Sequence, residues 1–172
     1  MWDFFQTVRH RHSIRRYQSD VTIEPAALHG VLEMALAGPS AGDKQAYHLV
    51  VVQDAGLRQR IAEHSGEDFL AKAPVNIVVC SDPELSATQF GERGRDLFAL
   101  QDATIAATYI QLAAVAEGLG SAWAGGFVEE TLREILEIPD HLHPVAVLAL
   151  GYPAEIPEPT PRRKLNELVS YR

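Results

Sequence analysis

The residues most able to do chemistry stand close together in RHRHSIRRY, Arg9 to Tyr17. Arg11, Ser13 and Arg15 alternate, so an extended segment would project all three to one side. Two forked guanidiniums and a hydroxyl on one face suit a phosphate, because the fork meets phosphate oxygens in a bidentate way that lysine does not. Arg162 and Arg163 form a second, distant cationic point that could close the same site. A single phosphate monoester fits this pattern and a long polyanion does not. The plainer alternative is a solvated helix end, where arginines complement the helix dipole. Arg9 and Arg16 fall outside the alternation and read as solvated charges.

Other chemistries find less support. No GxxxxGK[ST] loop occurs, and GLGSAWAGG follows a helix rather than joining a strand to a helix, so neither common phosphate loop is present. His10/His12 and His141/His143 are spaced i, i+2 without a Cys or Glu at zinc-motif distance, which predicts no metal site. No GxSxG elbow marks a serine nucleophile, and Cys80, mid-strand in IVVCSD, reads as a small buried apolar residue. The loop GPSAGDKQ (38–45) is different. Pro39, Ser40, Ala41 and Gly42 after a helix would leave backbone groups open to a flat ligand, and Gln45 adds a donor and an acceptor; an ordinary helix–strand turn would look the same.

The elements that must position these residues follow from periodicity. Trp2, Phe5 and Val8 have helical spacing over 2–10. Glu24-Pro25 opens a helix whose apolar stripe is Leu28, Val31, Leu32, Ala35 and Leu36. HLVVVQD (48–54), PVNIVVCSD (74–82) and PVAVLALGY (144–152) read as strands of a sheet covered on both faces, with helices over 55–64 and 128–137. The polar stretch 82–96, interrupted by Pro83, Gly91 and Gly94, reads as a loop or poorly formed helix. Leu97 to Leu119 is helical and apolar nearly all round, as in the middle of a domain or a dimer. The proline-rich tail, PAEIPEPTP and onward, is expected to reach across a neighbour.

Bulk properties narrow the class. The 172 residues suggest one domain, 1–172, with an extension over 153–172. A formal net charge of −8 argues against nucleic acid as partner. The single cysteine excludes an internal disulfide. With no apolar window for a signal peptide or membrane helix, the expected location is cytoplasmic.

Three separated pieces resemble one family: R-x-S-x-R at Arg11–Arg15, PSAGDKQ after the first long helix, and GYP (151–153) with its connector and basic pair ahead of LNELV. The alanine-rich helix ending GLGSAWAGGF fits between them. Together these are similar to the nitroreductase superfamily of FMN-dependent NAD(P)H oxidoreductases. The resemblance implies an α+β fold with a mixed central sheet of four to five strands flanked by helices, built as an intertwined homodimer. It implies that Arg11, Ser13 and Arg15, with Arg162 or Arg163, hold the FMN phosphate and ribityl chain, His12 contributing mainly backbone. Pro39, Ser40 and Ala41 of the other subunit would pack on the isoalloxazine, with Gln45 near its polar edge, and Gly125 and Gly126 would let the backbone approach it. The implied activity is ping-pong hydride transfer from NADH or NADPH to nitroaromatics, quinones or related small acceptors, with the flavin N5 carrying the chemistry and no catalytic side chain required. Alternatives are a specialised reaction such as reductive dehalogenation, or a flavin-binding regulatory module without efficient turnover. Asp43 departs from the family's usual asparagine.

Overall fold

The computed structural model describes residues 3–172. In chain order the elements are α1 (Phe4–His10), α2 (Pro25–Leu36), β1 (Tyr47–Val52), α3 (Ala55–Ser65), α4 (Phe69–Lys72), β2 (Val75–Ser81), α5 (Pro83–Arg93), α6 (Ala99–Ala116), β3 (Gly120–Ala124), α7 (Glu129–Leu136) and β4 (His143–Gly151). The fold is α+β. The strands form one sheet in the order β1-β2-β4-β3, every pair antiparallel. The parallel component of the expected mixed sheet is a single bridge, from Ser13 to Ser121 of the edge strand β3.

Side-chain alternation divides the interior in two, as the period of two in a strand requires. Val75, Ile77 and Val79 of β2, with Ala146, Leu148 and Leu150 of β4, face α2 and α6. Val78 and Cys80, with Val147 and Ala149, face α3, α4 and α7. Cys80 is fully buried, and burial pushes its thiol up to about 12, so it stays protonated and inert. Alanines at 99, 103, 106, 107 and 114 let α6 approach the sheet closely.

Helix starts follow local chemistry. Asp3 and Gln6 form a capping box at α1, and Pro25 occupies the first turn of α2. The expected stripe of α2 buries Leu28, Val31 and Ala35, whereas Leu36 is exposed. Trp2 lies outside the described residues; Phe5 and Val8 of its predicted stripe are exposed, as is Phe4.

Two expectations are corrected. Residues 83–93 form a helix, because Asp82 caps it by accepting the Leu85 N–H at 2.9 Å and Pro83 sits in its tolerant first turn. Gly91 kinks it at φ 57°, ψ −141°, and one π-helical turn (Gly94–Phe98) leads into α6. Gly94 is required by space, since a Cβ there would lie 2.6 Å from the Ser86 carbonyl oxygen. In addition, GSAWA, to which the periodicity assigned no strand, is strand β3. Among the described residues no helix is long and apolar enough to cross a membrane.

Candidate functional site

After α1 the chain turns extended at Arg11 (φ −69°, ψ 110°) and runs beside β3. The Ile14 N–H donates to the Ser121 carbonyl at 2.9 Å, and the Ile14 side chain lies over Gly120, where a Cβ would be 2.7 Å from it. Tyr17 is buried over Gly151, and its hydroxyl donates to the Ile14 carbonyl at 2.6 Å and to that of Ala149 at 3.4 Å. Burial holds that hydroxyl well above its ordinary pKa of 10, so it remains a donor.

The chain's other end braces the same segment. Gln18 N–H donates to Tyr152 and Ala154 N–H to Arg16, both at 2.9 Å. Glu155 accepts the Arg15 and Arg16 N–H groups at 2.8 and 3.1 Å and the Arg16 Nε–H at 2.8 Å. Arg16 is therefore ion-paired rather than simply solvated. The guanidinium hydrogen bond and the two amides hold the Glu155 carboxyl below its ordinary 4.5.

With Ile14 and Tyr17 facing in, Ser13 and Arg15 are exposed and Arg11 is half-buried. The Arg15 guanidinium stacks over the Phe69 ring at 5.7 Å from its centre. Among the described residues, the side chains of Arg11, Ser13 and Arg15 donate no hydrogen bond. Their donors are held on a braced strand with nothing among the described residues to receive them. His12 lines a neighbouring cleft of about 580 Å³ that runs between α1 and the tail at Pro153–Pro157.

The 38–45 loop has an unusual backbone. Gly42 (φ 55°), Asp43 (φ 56°) and Gln45 (φ 48°) all lie in the left-handed region, which L-residues with a Cβ disfavour and which Asp and Asn tolerate best. Ser40 Oγ accepts the Gln45 N–H at 2.9 Å, and Gln45 Nε2 donates to the Leu36 carbonyl at 3.1 Å, so the amide nitrogen of Gln45 is turned into the chain. Asp102 accepts the N–H groups of Ala41 and Ala46. Gln89 and Phe90 of α5 close over Gly42, where a Cβ would lie 2.9 Å from each. Pro39, Ser40 and Ala41 line a cavity of about 730 Å³ along the outward face of α6, with Leu100, Thr104 and Tyr109. Within one chain this cavity and the Arg11–Arg15 segment are lined by separate residues.

Gly125 and Gly126 follow β3 and are exposed. Neither has a positive φ, and a Cβ at Gly126 would meet nothing within 4 Å, at Gly125 only the Trp123 ring at 3.6 Å. The chain's own packing thus gives no reason for glycine there; the bare backbone leaves room for something outside it. Arg163 pairs within the tail, with Glu167 at 3.2 Å, and Arg162 is exposed. Sequence reasoning did not single out Asp102 or Glu155. The signal for Asp102 was a lone carboxylate among alanines; for Glu155, an acidic residue at the start of a basic tail, there was none.

Comparison with known proteins adds the lineage. The nitroreductase family model matches residues 8–76 and 65–152. A Methanothermobacter thermautotrophicus protein named as an NADH dehydrogenase/NAD(P)H nitroreductase is 36% identical over 160 residues, covering 90% of this chain and 80% of its own. A Bacillus subtilis FMN reductase (NADPH) is 28% identical over 171 residues, covering 91% and 68%. The structure of the Vibrio harveyi NADPH:FMN oxidoreductase complexed with NAD+ superimposes with a TM-score of 0.88 at 26% identity, covering 97% of this chain and 76% of that one. From a family match across most of its length and a relative more than a third identical, this chain belongs to the nitroreductase family.

Proposed function

We propose that the protein is an FMN-dependent NAD(P)H oxidoreductase that works as a homodimer on small acceptors such as nitroaromatics or quinones. The observation that carries this reading is the set of unengaged donors on Arg11, Ser13 and Arg15, held in place by Ile14, Tyr17 and Glu155. Their chemistry fits a phosphate monoester with an adjoining polyol. The bare backbone at Gly125 and Gly126, with open space where a Cβ would stand, fits the close approach of a planar ring. The residues present therefore fit FMN, and relatives whose names include FMN and NADPH support the choice.

Arg11 and Arg15 would hold the phosphate, with Ser13 and either Arg162 or Arg163 completing its shell and His12 contributing backbone. Pro39, Ser40 and Ala41 would come from the second subunit, which accounts for their lining a separate cavity within one chain. Exposed Phe4, Phe5 and Leu100 supply apolar surface for that contact. FMN, when bound, would supply the hydride chemistry between NADH or NADPH and the acceptor. The protein's part is to bind, to orient and to exclude water, so no acid–base pair is needed.

The test is a visible absorbance spectrum of the purified protein, before and after anaerobic addition of NADH and then NADPH. Flavin bands that bleach within seconds are expected. A colourless protein that also takes up no added FMN overturns the reading. Bound flavin that neither nucleotide reduces makes the chain a flavin-binding module instead.

A further inference from the structure

Asp102 is the one acidic residue of α6, 2% exposed on a buried face made mostly of alanines. A buried carboxylate is costly unless its oxygens are hydrogen-bonded, and no salt bridge among the described residues supplies a cation. Two backbone donors take that place. Oδ1 accepts the Ala41 N–H at 2.9 Å and Oδ2 the Ala46 N–H at 3.2 Å.

The two amides bracket Gly42 to Gln45, and three of those four residues are left-handed. Such backbone persists only where surrounding contacts over-determine it. A carboxylate is suited to the task because both oxygens only accept; an asparagine would set its NH2 against one of the N–H groups. We infer that Asp102 is the positioning residue of the flavin-facing loop: its two oxygens fix the backbone between Ala41 and Ala46 and so set how Pro39, Ser40 and Ala41 are presented to the cofactor. This inference rests on the reading of that loop as a flavin contact.

The experiment compares FMN-loaded wild type with Asp102→Asn, using Ile61→Val in α3, remote from the loop, as a control for general destabilisation. Three readouts are taken: amide exchange at residues 39–46, the visible spectrum and midpoint potential of bound FMN, and KM against kcat. Asp102→Asn should speed exchange at Ala41 and Ala46 at least about tenfold, shift the flavin spectrum and potential, and raise KM more than it lowers kcat. Ile61→Val should leave exchange in the loop and the spectrum unchanged. If wild type binds FMN and Asp102→Asn matches it in loop exchange, spectrum and potential, the inference is overturned and the functional reading stands. If wild type takes up no FMN, it is the reading that fails. Should Asp102→Asn not fold, wild-type exchange decides: Ala41 and Ala46 amides exchanging as fast as that of Gly42 overturn the inference, and joint protection of the two supports it.

Discussion

Replacing Gly120 by alanine moves the cationic strand without touching a cation. A Cβ at Gly120 would lie 2.8 Å from the Cβ of Ile14, with Cγ1 and Cγ2 at 2.7 and 2.8 Å. Apolar carbons prefer about 3.5–4.0 Å, so the deficit is about 0.7–1.2 Å. Because the Ile14 Cβ is itself too close, no rotamer of Ile14 relieves the clash. The backbone of Ser13–Arg15 must lift from β3, stretching the 2.9 Å bond from Ile14 N–H to Ser121. Forcing a carbon into a packed contact costs about 1–3 kcal/mol. The free protein sheds that strain by letting the strand lift, whereas the FMN-bound form needs the strand in place. FMN should therefore bind about 5- to 150-fold more weakly. Flavin fluorescence titration of cofactor-stripped protein measures this, with far-UV circular dichroism confirming the fold. Adding Ile14→Ala should not restore affinity, since its Cβ remains. A natively folded Gly120→Ala variant that binds FMN within about twofold of wild type refutes the reasoning.

Glu155→Gln keeps the shape and removes the charge facing Arg16. Because the folded-state carboxyl titrates below 4.5, its stabilisation is complete above that value and is lost as pH falls through the lowered one. The melting-temperature gap between wild type and variant should be open at neutral pH and close in acid; a gap constant with pH contradicts this. Leu100→Arg places a charge on the apolar outward face of α6, where Leu100 is 46% exposed. Sedimentation should show a shift to monomer with loss of FMN, and an intact flavin-loaded dimer would count against the proposed assembly. Asp43→Asn preserves a residue type that tolerates φ 56° and removes one negative charge near the proposed flavin site. The midpoint potential should rise, on the order of 10–30 mV for the two-electron couple; no rise would mean that the carboxylate faces solvent.

How much could be read in advance depended on whether an element's cause was local. The β-branched runs of β1, β2 and β4 declared themselves, as did α2 with its proline start. Strand β3 did not, because Gly-Ser-Ala-Trp-Ala has weak strand character; it exists through its pairing with β4, which is distant in sequence. Helix α5 was obscured by Pro83 and Gly91, yet Asp82 and Pro83 are a start signal and Gly91 only a kink. In the candidate site the Arg11, Ser13, Arg15 alternation was legible because it is a backbone period. What braces that strand and the 38–45 loop was not: Glu155 holds the first across 140 residues in sequence, and Asp102 the second across 56–61.

The pairing of Arg16 and Gln18 with Tyr152 and Ala154 bears on the order of assembly. Arg15 meets Glu155 across 140 residues, and Tyr17 reaches Ala149 across 132. Contacts of such separation close late, because the loop entropy is lost before they are made. During synthesis the arginine strand leaves the ribosome long before the β4 edge that will hold it. The residues proposed to grip the cofactor are thus made well before the segment that places them, and loading is expected only after that segment has folded against them.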